Sequence, residues 1–161
     1  MAKVVLSLGS NVGDRFFYIH QMQRCLEEII LHADYSTLFE TAPVGVSKEH
    51  SPYLNILLVG FYEGSPATLL RETQRIESRW GRQEKGGYTP RTADIDILLF
   101  GCEEVHEPNL QIPHPALFHR RFILEGLREL VPHWRVGDAP PFDEYVIPKT
   151  ILHQKITPLD L

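Results

Sequence analysis

The sequence predicts an α+β protein with the ferredoxin-like order β-α-β-β-α-β, in which helices pack on an antiparallel sheet. Three observations predict this fold. Residues 3–8 (KVVLSL) and 54–62 (LNILLVGFY) are short apolar runs of the kind that form buried strands. Apolar residues recur at helical spacing in residues 15–32 and 66–80. Residues 92–100 (TADIDILLF) then return to a strand pattern.

The two main helices have recognisable N-terminal signals. Asp14 precedes the first helix, where its carboxylate can accept a hydrogen bond from a free backbone N–H group. Ser65 and Pro66 open the second helix with a capping residue followed by proline at the first helical position. Gly81 is a plausible end for that helix.

The other elements are shorter. At 161 residues, the chain fits one domain, residues 1–161, with one core. From Gly137 onward, a tail with four prolines is expected to be irregular. The remaining predictions are a strand at 35–42, a short strand at 110–112, a helix at 115–130 and a return to the sheet at 134–136.

Composition excludes some functions. The net charge of −5 argues against a broad nucleic-acid-binding surface. No segment approaches the roughly 18 consecutive apolar residues of a membrane span. The N-terminal residues read as a first strand and not as a signal peptide. We therefore expect a cytoplasmic protein without a nucleic-acid or membrane partner.

The strongest chemical signal is the pair Asp94 and Asp96. Residues two apart on a strand point to the same face, with Cα atoms about 7 Å apart. Two carboxylates at that distance repel by roughly 2–3 kcal/mol at an effective dielectric constant near 20. A hard divalent cation between them reverses this repulsion, and Mg²⁺ suits a site with few carboxylates plus phosphate oxygens. The alternative is a strand end with two hydrated aspartates.

Neighbouring residues each have two interpretations. Arg91 can bind phosphate with its donor fork or form a salt bridge to one aspartate. Glu77 is by default a surface residue paired with an arginine, and otherwise a nucleotide contact. His114 precedes a predicted helix, where it can touch phosphate or be purely structural. The loop 82–90 is either a lid over ATP or an exposed connection. The chain has no P-loop sequence.

Eight segments together resemble one family. They are LGSNVGDR (8–15), TAPVG (41–45), PYLN (52–55), TQRIE (73–77), GR (81–82), PRTADIDILLFG (90–101), IPHP (112–115) and HRRF (119–122). In this order they resemble 6-hydroxymethyl-7,8-dihydropterin pyrophosphokinase, an enzyme of folate biosynthesis, over about residues 4–132. The resemblance implies transfer of pyrophosphate from ATP to the pterin hydroxymethyl group, with AMP as the other product, by a monomer that uses two Mg²⁺ ions.

The resemblance also implies roles for individual residues. Asp94 and Asp96 match the magnesium ligands, and Arg82 and Arg91 match catalytic arginines on the phosphates. Residues matching the pterin site are Thr41, Ala42, Pro43, Val44, Tyr53, Asn55 and Phe122, and Tyr88 is expected to cover the ring. Residues matching the ATP site are Gln74, Glu77, Arg82, Arg91, Ile97, Leu110, His114 and Arg120. Without the resemblance, Tyr53 and Phe122 would be read as core residues and Asn55 as the end of a turn.

The chain departs from the family pattern in the loop 82–90. The family usually has more arginines and a tryptophan there, whereas this chain has Glu84, Gly86, Gly87 and Tyr88. Asn109 also stands where an arginine often helps bind ATP. We therefore expect altered ATP affinity or turnover without loss of activity. The competing interpretations are a non-catalytic binding module and another nucleotidyl- or phosphoryltransferase with the same aspartate pair.

Overall fold

A computed structural model of the chain describes residues 1–42, 52–81 and 92–160. The helices are α1 (Arg15–Glu27), α2 (Pro66–Arg79), α3 (Arg121–Leu130) and α4 (Lys149–Leu152). The strands are β1 (Ala2–Ser10), β2 (Leu31–Tyr35), β3 (Leu38–Thr41), β4 (Tyr53–Tyr62), β5 (Asp94–Phe100), β6 (Val105–Glu107), β7 (Leu110–Ile112) and β8 (Ile156–Leu159).

The sheet confirms the predicted fold class. Its order is β5-β1-β4-β3-β8, with β2 also paired to β4, and the pairings are antiparallel. The first four strands of this order reproduce the ferredoxin-like arrangement, in which the first and third strands of the motif are central neighbours. Strands β6 and β7 form a separate hairpin. No helix in the described ranges is long and apolar enough to cross a membrane.

The sheet has an apolar core on each face. Helices α1 and α2 cover one face, where Ile19, Met22 and Leu69 pack on alternate residues of β1 and β4. Helix α3 and the C-terminal segment cover the other, where Leu127 and Phe142 are buried. The helix N-termini agree with the sequence signals, since Asp14 accepts a hydrogen bond from Phe17 N–H and Ser65 forms a capping box with Thr68.

Two of the predicted boundaries in the first half were wrong. The helix predicted at 15–32 ends at Glu27, residues 28–30 form a turn, and β2 begins at Leu31, which pairs with Phe61. The strand predicted at 35–42 is two strands separated at Ser36. There the Ser36 hydroxyl accepts the Leu57 N–H at 2.9 Å, which breaks the continuous pairing. In both regions the bounds of the strands are set by pairing with β4, which the local sequence pattern does not specify.

Three predictions in the second half were also wrong. Helix α3 begins at Arg121 instead of 115, because the preceding residues form single turns, such as the one from His114 to Leu117. Residues 134–136 pack against the α3 face without joining the sheet. The tail is not irregular throughout: it forms α4 and then β8, which pairs with β3.

Candidate active site

Strand β5 presents the aspartate pair as the sequence predicted. Ile95 and Ile97 are buried in the core under α1 and α2, at 1% and 4% exposure. Asp94 and Asp96 alternate with them and are half-buried on the opposite face. A bulge in the pairing with β1 follows, so that Leu98 and Leu99 both enter the α3 core. The carboxylates therefore lie at the end of the strand where the α3 face opens to solvent.

Gly9 of β1 lies between the two halves of the site. Its register partners are Asn55 on one side and Asp94 on the other. A Cβ atom at Gly9 would lie 2.9 Å from Asn55 Oδ1 and 3.5 Å from Tyr53 Cδ1. Adjacent strands are about 4.8 Å apart, so the Cα atoms of Asn55 and Asp94 are separated by about 10 Å across Gly9. Because Gly9 has no side chain, the Asn55 amide and the Tyr53 ring lie close against the β1 backbone, and we call this backbone between Asn55 and Asp94 the floor of the site.

Asn55 is held by a buried hydrogen bond. Its Nδ2 donates to Thr41 Oγ1 at 2.7 Å, and the two residues are 5% and 3% exposed. Thr41 pairs in register with Tyr53, so β3 and β4 bring these predicted pterin residues together. Ala42 follows at the exposed end of β3. The bond to Thr41 fixes the amide so that its oxygen faces Gly9.

Arg120 brings positive charge to the aspartates. Its guanidinium carbon lies 5.1 Å from the centre of the Phe122 ring. Burial lowers the pKa of Arg120, and the nearby Tyr53, Asp96 and Asp94 oppose that shift. The guanidinium therefore lies among the acidic pair and both predicted pterin-stacking aromatics. This places an anion-binding group next to the carboxylates.

His114 has a defined orientation toward Asp96. Its Nδ1 accepts the Ala116 N–H at 3.0 Å, so in the neutral ring the proton is on Nε2. That Nε2 lies 3.7 Å from Asp96 Oδ1, and both side chains are about one-third exposed or less, at 27% and 30%. The distance exceeds that of a direct hydrogen bond, which leaves the N–H available to a phosphate oxygen.

Glu77 is buried, contrary to its default interpretation as a surface ion pair. It is 2% exposed, and its Oε2 accepts the Ile95 N–H at 2.8 Å. Ile95 lies between the two aspartates on β5, the end strand of the sheet. The carboxylate of α2 therefore secures the strand that carries the acidic pair. Gln74, one turn earlier on α2, is exposed.

A pocket of about 230 Å³, which we call the edge pocket, opens at the outer edge of β5. This is below the roughly 300–1,000 Å³ of a whole small-molecule site, so it suits one part of a nucleotide. Three of the predicted ATP residues line it, namely Ile97, Leu110 and His114, together with the predicted magnesium ligand Asp96. The other lining residues are Leu70, Ile95, Pro108, Asn109, Gln111 and Pro115.

Some residues of the site were missed or cannot be placed. Sequence reasoning did not select Gly9, although it lies in the quoted segment LGSNVGDR, or Leu70, whose helical spacing marked it only as core. Five predicted residues lie outside the described residues: Pro43, Val44, Arg82, Tyr88 and Arg91.

The donor set fits magnesium. Asp94 and Asp96 offer hard oxygen ligands on one face, beside a pocket that can bring phosphate oxygens. Within the described ranges there is no group of three or more His, Cys, Asp or Glu side chains that could enclose a metal. Mg²⁺ commonly takes one or two carboxylates and completes its shell with water and substrate phosphate, so a closed protein cage is not required.

Comparisons with known proteins agree on one family. The family model for 7,8-dihydro-6-hydroxymethylpterin-pyrophosphokinase (HPPK) matches residues 5–132. A Bacillus subtilis protein named 2-amino-4-hydroxy-6-hydroxymethyldihydropteridine pyrophosphokinase is 37% identical over 127 residues, which cover 78% of this chain and 75% of that protein. An Aquifex aeolicus protein of the same name is 38% identical over 133 residues, covering 83% of this chain and 82% of the relative.

Solved structures share the fold. The wild-type HPPK-DHPS of Plasmodium falciparum, crystallised with SDX-DHP, matches 89% of this chain with a TM-score of 0.66 and 18% identity. The match spans 42% of that longer chain. At this identity the likeness supports the fold, while the family rests on the sequence matches.

Proposed function

The chain belongs to the 7,8-dihydro-6-hydroxymethylpterin-pyrophosphokinase family, and from this premise we propose how its residues divide the reaction. The enzyme transfers pyrophosphate from ATP to the hydroxymethyl group of 6-hydroxymethyl-7,8-dihydropterin in folate biosynthesis and releases AMP. The observation that carries the proposal is the position of Asp96, which belongs both to the acidic pair and to the wall of the edge pocket.

The edge pocket holds the base and sugar of ATP. Ile97 and Leu110 provide apolar contact for the ring. Alternate residues of an end strand turn their N–H and C=O groups outward, and the Ile95 N–H already points outward to Glu77. The backbone N–H and C=O groups of Ile97 also point outward, so they can form hydrogen bonds with the edge of the base. Gln74, which is exposed on α2 one turn after the lining residue Leu70, is the proposed polar contact from this helix.

The pterin occupies the floor over Gly9. Asn55, fixed by Thr41, hydrogen-bonds the polar edge of the ring, and Tyr53 and Phe122 pack on its faces. Ala42 bounds the same end of the pocket. Pro43, Val44 and Tyr88 are the other predicted pterin residues and lie outside the described residues. This arrangement points the hydroxymethyl group toward Asp94.

Charged and hydrogen-bonding side chains surround the pyrophosphoryl group that is transferred. The attacking hydroxyl and the leaving AMP need little covalent help, so orientation and neutralisation of charge dominate. Two Mg²⁺ ions held by Asp94 and Asp96 would neutralise the triphosphate and lower the pKa of the hydroxyl. Arg120 and His114 donate hydrogen bonds from the α3 side, and Arg82 and Arg91 are the further catalytic donors.

An AMP-release assay tests this proposal. Purified protein with ATP, the dihydropterin and Mg²⁺ should form AMP and the pterin diphosphate, and chelation of Mg²⁺ should stop the reaction. ADP as product would show phosphoryl transfer, and binding of both substrates without AMP would show a binding module. Asp96→Ala should abolish turnover with an unchanged circular dichroism spectrum, whereas Glu104→Ala, a change at an exposed acid near β6, should not.

We propose that residues 1–161 act as one domain, as a monomer in the cytoplasm. Gel filtration with light scattering tests the oligomeric state.

A further inference from the structure

We propose that Gln154 and Arg121 form a clamp that holds the two walls of the pterin site together. The clamp consists of the Gln154 and Arg121 side chains with the backbone carbonyls of Leu152, Gln154 and Lys155, and its role rests on the pterin site proposed above. Both are positioning residues, since they act through the residues they hold. Gln154 and the rest of the C-terminal segment lie beyond residues 5–132, the part of the chain that matches the family.

One side of the clamp is attached to the wall formed by β3. Strand β8 pairs with β3, with Ile156 opposite Thr41. Ala42 N–H donates to the Lys155 carbonyl at 3.3 Å. The C-terminal segment therefore extends the sheet beside the residue whose hydroxyl accepts from Asn55.

The other side is attached to the start of α3. Gln154 Oε1 accepts the Arg121 N–H at 2.9 Å, and Gln154 Nε2 donates to the His119 carbonyl at 2.8 Å. The Arg121 guanidinium donates back to the Leu152 carbonyl at 3.3 Å and the Gln154 carbonyl at 3.1 Å. These four bonds bracket Arg120, and Phe122 follows directly.

The helix needs this help because it lacks a local cap. Arg120 is the N-cap residue of α3, and its side chain makes no capping hydrogen bond. The first N–H groups of a helix have no partner within the helix and usually bind a nearby side chain. Here Gln154, 33 residues away in sequence, accepts the Arg121 N–H.

The geometry links the two walls through adjacent residues. Gln154 holds α3, and Lys155, its neighbour, holds the end of β3. These two adjacent residues therefore connect the start of α3, which carries Phe122, to the end of β3, which carries Thr41. A pterin bound between these walls depends on their separation, because stacking and hydrogen-bonding contacts must be made together.

Steady-state kinetics of Gln154→Ala test the clamp. Removing the two side-chain bonds should raise the KM for the dihydropterin about tenfold. The KM for ATP should rise less, by about twofold to threefold, because the clamp reaches the ATP site through Arg120, whereas the edge pocket is built mainly by β5, β7 and the turn before β7. His153→Ala is the matched control, because His153 is exposed and adjacent to Gln154. It should behave like wild type.

Gln154→Glu separates the two bonds. It keeps an oxygen that accepts the Arg121 N–H but loses the donor to His119, so its pterin KM should fall between wild type and Gln154→Ala. Gln154→Glu also tests the clamp if Gln154→Ala does not fold. A pterin KM unchanged in a folded variant, or an equal rise in both KM values, would overturn the clamp. Failure of the proposed function is distinct, because it would appear as no AMP release by the wild type.

Discussion

Replacing Glu77 with alanine should affect both stability and metal use. The Glu77 carboxylate accepts the Ile95 N–H at 2.8 Å from a position that is 2% exposed. Water has little access to that N–H group once the acceptor is removed. Because Ile95 separates the two aspartates on the end strand, its release also frees Asp94 and Asp96 to move.

The magnitude follows from the burial of the bond. A buried donor left without a partner costs about 1–3 kcal/mol, and bonds to charged groups are at the upper end, so we expect a loss of about 2–3 kcal/mol in the free energy of unfolding. For a domain of this size, each kcal/mol lowers Tm by about 2–4 °C, which gives a fall of about 4–12 °C. We also expect the Mg²⁺ concentration for half-maximal turnover to rise about tenfold, as for other groups that orient metal ligands.

Denaturant titration and a Mg²⁺ titration of AMP release measure the two effects. Glu77→Gln keeps an acceptor for Ile95 and should lose less than about 1 kcal/mol. Glu72→Ala is a surface control on the same helix, where the pairing with Arg75 at 3.5 Å contributes little. A Glu77→Ala protein with wild-type stability and Mg²⁺ dependence would show that this bond does not secure β5, and the reasoning would be refuted.

Three further changes probe the pterin and phosphate groups. Gly9→Ala places a Cβ 2.9 Å from Asn55 Oδ1, so the amide must shift, and we expect the pterin KM to rise about tenfold in kinetic assays. Thr41→Val removes the acceptor 2.7 Å from Asn55 Nδ2, and calorimetric titration should show pterin binding weakened by about 1–3 kcal/mol. Arg120→Lys keeps the charge but loses the planar fork over Phe122, so the KM for ATP should rise about threefold to tenfold.

Each of these three predictions has an outcome that would contradict it. Normal pterin kinetics in Gly9→Ala would mean that the floor over Gly9 does not receive the ring. Tight pterin binding by Thr41→Val would show that Asn55 needs no partner. An Arg120→Lys enzyme altered only in its pterin KM would assign Arg120 to the other substrate.

Local sequence patterns predict the starts of the two main helices and the acidic pair on β5. Asp14 and Ser65 start their helices as expected, and the D-x-D spacing puts Asp94 and Asp96 on one face because strand periodicity is fixed by backbone geometry. The pterin residues could be selected only through resemblance. Tyr53 and Phe122 are far apart in sequence, and nothing in their local pattern separates them from ordinary core aromatics.

Contacts between residues distant in sequence determine the burial of Glu77, the formation of β8 and the start of α3. Burial of Glu77 depends on α2 packing across the end of β5, so the pattern that suggests a surface ion pair is misleading there. The apparent tail becomes β8 because the exposed edge of β3 offers unpaired backbone groups. Helix α3 starts late, at Arg121, whose N–H is accepted by Gln154.

Local patterns in the chain specify the ferredoxin-like order of elements and the shared face of Asp94 and Asp96, because both depend on interactions between residues close in sequence. Three other features arise from tertiary contacts: Gly9 separates Asn55 from Asp94, Asp96 borders a pocket, and the C-terminal segment joins β3 to α3. These features depend on strand register and on contacts between distant residues, which no local pattern specifies.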